Sequence, residues 1–119
     1  MRRLGSAALV ALVLAAAGCG SASVRGQRAL DTFLLSRKGQ TWAARYPHTP
    51  GSIPCSTYDK DVKKKVDATC STDLSVDQRK RVIVIFTTSW SHGSRARAWF
   101  VFLRPDGALV SITREGATD

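Results

Sequence analysis

Cysteine is the residue type with the most specific chemistry in this sequence, and the first of three cysteines stands in an informative position. Cys19 ends a segment in which Arg2 and Arg3 are followed by the apolar run LVALVLAAAG, whose last residues are small. Cations, an apolar run and small residues in this order are typical of a secretion signal. Residues 4–18 number about 15, whereas a helix needs about 20 to span a bilayer. The sequence therefore predicts a cleaved export signal over residues 1–18.

Residues 16–19, Ala-Ala-Gly-Cys, resemble the lipobox of bacterial lipoproteins, in which an aliphatic residue and two small residues precede a cysteine. Ala16 stands where Leu is more typical. The resemblance implies that the sulfur of Cys19 receives a diacylglyceryl group and that a signal peptidase cuts between Gly18 and Cys19. Two long acyl chains such as palmitate, at about 0.8 kcal/mol per buried methylene, anchor a protein durably. The alternative is that Cys19 is only a small apolar residue at the end of an ordinary signal.

If the lipobox is used, the mature protein is a lipoprotein on the extracytoplasmic face of the cell membrane. Residues 19–24 then form a lipidated tether, because 21–23 are small and polar. Residues 25–119 form one small domain, since about 100 residues leave little room for a second core.

The other two cysteines, Cys55 and Cys70, predict a disulfide in an exported chain. Closing a loop of about 15 residues contributes about 3 kcal/mol in the chain-entropy model. That is a large share of the stability of so small a domain. The alternative is a metal site that adds His48 and His92, but the four residues lack the C-x-x-C and H-x-x-x-H spacings of metal motifs. We expect no metal and no cofactor.

The chain is strongly basic, with 18 Lys and Arg against 9 Asp and Glu and a formal net charge of +9. Nucleic acid is not an expected partner, because the location is extracytoplasmic and no helix-turn-helix, RNP-like or zinc-finger pattern appears. Anionic lipid and wall polymers are available outside the membrane, and each cation near a lipid surface contributes about 1 kcal/mol. The alternative is that the cations are solvated faces that keep the domain soluble.

Arginines flank the longest strand pattern on both sides. Arg79 and Arg81 precede it, and Arg95 and Arg97 follow it, so an antiparallel hairpin places the two pairs at opposite ends. Arg95 and Arg97 then lie opposite the region of Trp90. If the preceding lysine-rich strand pairs next to the first arginine pair, an anion-binding face forms from the following cations: Lys63, Lys65, Arg79 and Arg81.

The candidates for acid–base catalysis are His48, Asp31 and His92, and we expect all three to be exposed. His48 lies in a proline-rich loop, Asp31 on the outer side of a helix and His92 at a hairpin tip. Ser89 and Ser91 lack a G-x-S-x-G elbow, which disfavours a hydrolase. The sequence favours a protein that is not an enzyme.

Three tryptophans are candidates for the wall of a ligand pocket, because pockets are mostly apolar and aromatic. Large aromatic side chains in a small domain are more commonly core. We expect Trp42 and Trp99 to be core and Trp90, at a strand end, to be the most exposed.

The elements that position these residues follow from hydrophobic periodicity and from turn residues. An amphipathic helix is predicted for residues 25–39 and ends at Gly39, a second short helix for 41–46 ends before Pro47, and a loop continues to Cys55. Alternating patterns then predict four strands, of which the second is central: a strand ending near Thr72, 79–90, 95–104 and 108–114.

This order predicts an α+β domain in which N-terminal helices pack on a curved antiparallel β-meander of about four strands. The segments ALDTFLLSRKGQTWAARYP, RVIVIFTTSW and AWFVFLRPDGALVSI together resemble the cystatin-like, nuclear-transport-factor-2-like superfamily, which includes many bacterial lipoproteins. The resemblance implies a curled sheet whose concave face and helices form a mouth. In SnoaL-like enzymes of that superfamily, His and Asp act as acid and base in the mouth.

Three functions remain open from the sequence. The first is a membrane-anchored extracytoplasmic lipoprotein whose domain is not an enzyme and binds a partner protein, a wall polymer or a small ligand. The second is a small SnoaL-like enzyme or small-ligand carrier that uses the mouth of the sheet. The third is an accessory protein of a neighbouring secretion or wall-synthesis system. A buried His48 or Asp31 facing a cavity would favour the enzyme.

Overall fold

The computed structural model describes residues 21–93 and 95–115, which fold into helices on one face of a five-stranded antiparallel sheet. The strand order along the sheet is the order in the chain. The fold class is therefore α+β, as predicted. The described elements are the following: α1 (Ser21–Leu35), α2 (Gln40–Ala43), β1 (Gly51–Asp59), β2 (Lys64–Val76), β3 (Val82–Trp90), β4 (Ala96–Leu103) and β5 (Leu109–Glu115).

β3 is the central strand, as its Val- and Ile-rich sequence predicts. Its even-numbered residues, from Val82 to Trp90, are buried on the face that carries the helices, which we call the inner face. The odd-numbered residues are half-buried on the opposite, outer face. β4 follows the same alternation, because Trp99 lies opposite Phe86 and Val101 opposite Val84. The core lies between the inner face and α1.

α1 lies across the sheet at the end where β2 finishes. Its buried stripe has helical spacing and consists of Ala29, Leu30, Phe33 and Leu34. The helix begins at Ser21, four residues before the predicted start, so residues 21–24 are helical. The early part of α1 packs directly on β2, since a Cβ on Gly26 would meet the side chain of Leu74 at 3.1 Å.

A sharp junction at Gly39 places α2 over the middle of the sheet. The sequence predicts that Gly39 ends the first helix, but α1 ends at Leu35 and Gly39 instead precedes α2, with an ordinary φ of −79°. A Cβ on Gly39 would stand 1.8 Å from the carbonyl oxygen of Phe33. Glycine is needed here for space between the two backbones, not for a left-handed conformation.

The sheet has five strands where the sequence predicts about four, and the additional strand is β1. For its start the sequence predicts a loop, because proline and glycine recur in the segment PHTPGSIPC that ends at Cys55. β1 nevertheless pairs with β2 along its whole length, from Gly51 opposite Thr72 to Asp59 opposite Lys64. It is an edge strand, where proline is tolerated because one side of the strand needs no partner.

The predicted disulfide between Cys55 and Cys70 is confirmed. It joins β1 to β2 across 15 residues of sequence, with the two Cα atoms 5.9 Å apart. Cys55 lies opposite Ala68, so the bridge runs diagonally between neighbouring positions on the inner face. Cys70 is fully buried, and the bridge therefore ties the edge strand to the core.

Candidate functional site

The two helices cover only part of the inner face, and the remainder forms an open mouth. α1 covers the end of the sheet where β2 finishes, and α2 carries Trp42 onto Phe86 of β3. Beyond α2, towards the β1–β2 and β3–β4 hairpins, the inner face borders two adjoining pockets. We call this end of the domain the open end.

The larger of the two pockets, the mouth pocket, has a volume of about 310 Å³ and lies between α2, β3 and β4. Trp42 stacks on Phe86, with ring centroids 4.8 Å apart, and meets Trp99 edge-on at 5.5 Å. The hydroxyls of Tyr46 and Thr88 share a buried hydrogen bond of 2.7 Å. The pocket is lined by the following residues: Thr41, Trp42, Arg45, Tyr46, Thr57, Thr88, Arg97 and Trp99.

The charges around the mouth pocket are positive. Arg45 and Arg97 lie in its lining, and none of its described lining residues is acidic. Arg45 stands over the ring of Tyr46, with its guanidinium carbon 5.9 Å from the ring centroid. Arg114 of β5 stands 5.7 Å over the ring of Trp99. The mouth pocket thus combines aromatic walls with a rim of guanidinium groups.

A second pocket of about 240 Å³ adjoins the first and shares Thr57 and Arg97 with it. Its lining includes three cations, Lys60, Arg95 and Arg97, and the carboxylate of Asp59, whose side chain is only 1 % exposed. Asp59 accepts a 2.6 Å hydrogen bond from Arg95, and Nε2 of His92 lies 3.5 Å away.

The backbone N–H of Asp61 donates to Asp59 and is the main cause of a lowered pKa at that carboxyl. Burial raises the pKa, and the guanidinium of Arg95 lowers it further. Because Arg95 also pairs with Asp61 at 3.2 Å, this cluster ties the β3–β4 hairpin to the β1–β2 hairpin. It forms one wall of the open end.

The exposure of the tryptophans is the reverse of the prediction. Trp90, expected to be the most exposed, is 6 % exposed, whereas Trp42 and Trp99 are half-buried in the mouth pocket. The arginines predicted to lie near Trp90 explain its burial: the guanidinium carbons of Arg95 and Arg97 stand 5.3 and 5.6 Å from its ring centroid. The indole Nε1–H of Trp90 is buried without a hydrogen-bond partner among the described residues.

The three candidate acid–base residues are exposed, as predicted. Nε2 of His48 lies 2.7 Å from the carbonyl oxygen of Ala43, and Asp31 accepts a hydrogen bond from Gln27. His92 lies at the tip of the β3–β4 hairpin. None of these three residues lines the mouth pocket. Within the described ranges, no three His, Cys, Asp or Glu side chains are grouped to hold a metal ion.

The four cations of the predicted anion-binding face do not come together. Lys63 and Lys65 lie where β2 begins, and Arg79 and Arg81 lie in the turn after it ends. A strand of 13 residues separates them, which at about 3.3 Å per residue is roughly 40 Å. Arg81 is also paired, since its Nε donates to Asp77 at 3.0 Å.

Sequence reasoning missed Arg45 and Asp59 as site residues. Arg45 follows Trp42 by three residues, a spacing that places two side chains on one side of a helix, so this signal was available. The sequence does not indicate that Asp59 is a buried site residue. The polar segment around it suggests a turn, and its burial depends on Arg95, which is distant in sequence.

The lipobox residues 16–19 lie outside the described residues. No helix in the described part of the chain is long and apolar enough to span a membrane. The chain matches no protein-family model, and neither the curated proteins nor the solved structures include a significant match to it.

Proposed function

We propose that this protein is a lipid-anchored extracytoplasmic lipoprotein whose domain binds a small anionic ligand in the mouth pocket without transforming it. The proposal of a lipid anchor rests on the sequence of residues 1–19, in which two arginines, an apolar run and small residues precede Cys19 in that order. The observation that carries the binding function is the mouth pocket, where two half-buried tryptophans stand beside two arginines.

The composition of the mouth pocket favours a ligand with a flat apolar body and one anionic group. Trp42 and Trp99 offer aromatic surfaces inclined at 73° to each other, on which a ring or a short apolar chain can pack. Arg45 and Arg97 supply donors suited to a carboxylate, sulfonate or phosphate. A volume of about 310 Å³ is at the lower end for small-molecule sites, so the ligand is small.

Binding without catalysis is favoured by the state of the nearest carboxylate. Asp59 is held ionised by the N–H of Asp61 and the guanidinium of Arg95, and it lines the second pocket rather than the mouth pocket. A general acid or base needs a pKa near the working pH, and a lowered carboxyl pKa moves away from it.

The anchor is tested by cell fractionation of the Cys19→Ala variant. Without the sulfur no diacylglyceryl group can be attached, so the variant should leave the membrane fraction or accumulate as an unprocessed precursor of higher mass. A variant that is processed normally and still sediments with membranes after a high-salt wash would contradict the lipid anchor.

The ligand site is tested with two fluorescent probes that share one ring system, anilinonaphthalene sulfonate and the neutral phenylnaphthylamine. Arg45→Gln should weaken sulfonate binding about twofold to fivefold, as expected for one exposed charge pair, and should leave the neutral probe unchanged. Trp99→Ala should weaken both probes. Arg79→Gln, at the other end of the domain, is the control of equal charge. Equal sulfonate affinity in Arg45→Gln and Arg79→Gln would place the anion outside the mouth pocket.

A further inference from the structure

We propose that the end of the domain beside the lipid anchor carries a docking face for the anionic lipid head groups of the anchoring bilayer. This inference rests on the proposed anchor at Cys19. We define the docking face by four cations: Arg25, Arg28, Arg79 and Lys80.

The chain itself fixes which end of the domain lies at the membrane. Cys19 precedes Ser21 by two residues, so covalent geometry keeps their Cα atoms within about 7 Å. α1 begins at Ser21, and Gly26 packs on the side chains of Leu74 and Val76 near the end of β2. A lipid on Cys19 therefore lies beside the end of the sheet that is opposite to the open end.

The docking-face cations gather at this same end from two separate elements. Arg79 and Lys80 are exposed in the turn between β2 and β3. Arg25 and Arg28 are exposed on α1, on the same side of the helix as Thr32. That side faces the β4–β5 turn, because a Cβ on Gly107 would stand 2.6 Å from the Cβ of Thr32. The β2–β3 and β4–β5 turns share one end of the antiparallel sheet.

The positive charge of the docking face is not neutralised within the described part of the chain. None of its four cations forms an ion pair there, whereas Asp77 and Asp106, the acids of the two turns, are both paired with other arginines. Asp77 binds Arg81, and Asp106 binds Arg104 at 2.9 Å. Asp77 also accepts the backbone N–H groups of Arg79 and Arg81, which fixes the shape of the turn. Asp77 and Asp106 therefore stabilise the two turns, and the docking-face cations can bind an external anion.

An anionic bilayer is the partner that this geometry fits. Cations near an anionic leaflet strengthen association about fivefold each, and the effect extends over about one Debye length, near 8 to 10 Å. The anchor keeps Arg25 and Arg28 close to the bilayer surface, because both lie within the first eight residues of α1. Because two acyl chains suffice for attachment, the contribution of the docking face is orientation, with the mouth pocket held away from the bilayer.

The test is lysine footprinting of the mature lipidated protein on vesicles. The protein is reconstituted on phosphatidylcholine alone or mixed with phosphatidylglycerol, treated briefly with acetic anhydride, and mapped by mass spectrometry. Lys80 reports on the docking face, and Lys63 and Lys65 at the open end are internal references. Phosphatidylglycerol should slow acetylation of Lys80 about fivefold to tenfold and leave the references within about twofold, and high salt should abolish the difference.

Matched variants separate the docking face from a general charge effect. Arg25→Gln with Arg28→Gln should reduce the protection of Lys80 to less than about twofold, whereas Arg45→Gln with Arg114→Gln, an equal loss of charge at the mouth, should leave it unchanged. Equal acetylation of Lys80 on both vesicle types overturns the docking face while the anchor stands. A native preparation that does not float with either vesicle type overturns the anchor, and the docking face with it.

Discussion

Replacing Gly39 by alanine is the substitution for which the structure predicts the largest effect from the smallest change. The added Cβ would lie 1.8 Å from the carbonyl oxygen of Phe33 and 2.9 Å from the Cα of Leu34, whereas real Cβ contacts essentially never fall below 3.0 Å. The obstructing atoms belong to the backbone, so rotation of a side chain cannot relieve the overlap. The junction between α1 and α2 must open by about 1 Å or more.

Overpacking of this kind costs typically 1–3 kcal/mol, and a backbone obstacle places Gly39→Ala at about 3 kcal/mol. A loss of 1 kcal/mol lowers the Tm of a domain of this size by about 4–8 °C, so we expect a decrease of about 12–24 °C. α2 carries Trp42, whose ring must lie 4.8 Å from that of Phe86 to form the wall of the mouth pocket. The variant should therefore also bind anilinonaphthalene sulfonate more weakly at temperatures where it remains folded.

The assay is thermal unfolding followed by near-ultraviolet circular dichroism, with Gly93→Ala as the matched control. Gly93 has a φ of +81° and no atom within 4 Å of an added Cβ, so that variant experiences only backbone strain of about 1–2 kcal/mol and retains the mouth pocket. If Gly39→Ala melts within 4 °C of the unsubstituted protein, or no lower than Gly93→Ala, the close approach that positions α2 does not exist.

Three further predictions concern the sheet. Reduction of the Cys55–Cys70 bridge should lower stability by about 3 kcal/mol in urea titrations; an unreduced protein whose mass already includes two free thiols would contradict it. Tyr46→Phe should lower the free energy of unfolding by about 1 kcal/mol, because it removes the hydrogen bond to Thr88. The double variant Tyr46→Phe Thr88→Val should be no less stable than Thr88→Val alone, and additive losses of stability would refute the shared hydrogen bond. Folding lowers the pKa of the Asp59 carboxyl, so Asp59 contributes stability above pH 4 that is lost as the pH falls through the folded pKa. The difference in free energy of unfolding between the unsubstituted protein and Asp59→Asn should therefore become smaller at low pH. A difference that does not change with pH would refute the lowered pKa as its source.

The strands that the sequence predicts well are those in which the pattern of apolar residues within the strand itself indicates which side chains are buried. β3 is apolar on both faces and proves to be central, and β4 lies within the residues 95–104 that are predicted to form a strand. β1 has no such pattern, because its residues are mostly exposed at an edge of the sheet. Its conformation depends on pairing with β2 and on the disulfide to Cys70. These partners are distant in sequence, so a short stretch of residues around β1 does not indicate that it is a strand.

The mouth pocket was only partly predictable for a related reason. The resemblance implies a mouth, but the sequence predicts that Trp42 and Trp99 are core, and their exposure depends on where α2 lies over the sheet. That placement is decided by the Gly39 junction, a steric relation between segments that no periodicity records. Trp90 shows the converse case, since its burial comes from two arginines that were expected nearby but were not expected to cover it.

The open end follows from the lengths of the elements. β3 has 9 residues, or roughly 30 Å at about 3.3 Å per residue, whereas each helix laid across the strands covers only about 10 Å of that length. α1 takes the end where β2 finishes and α2 takes the middle at Phe86, so roughly 10 Å of β3, around Thr88 and Trp90, has no helix above it. In that stretch the chain places arginine and threonine where a filled core would require apolar side chains. Covering this stretch with polar and charged side chains sacrifices apolar burial in a domain that has little of it to lose, a cost that the proposed ligand site in the mouth pocket would explain.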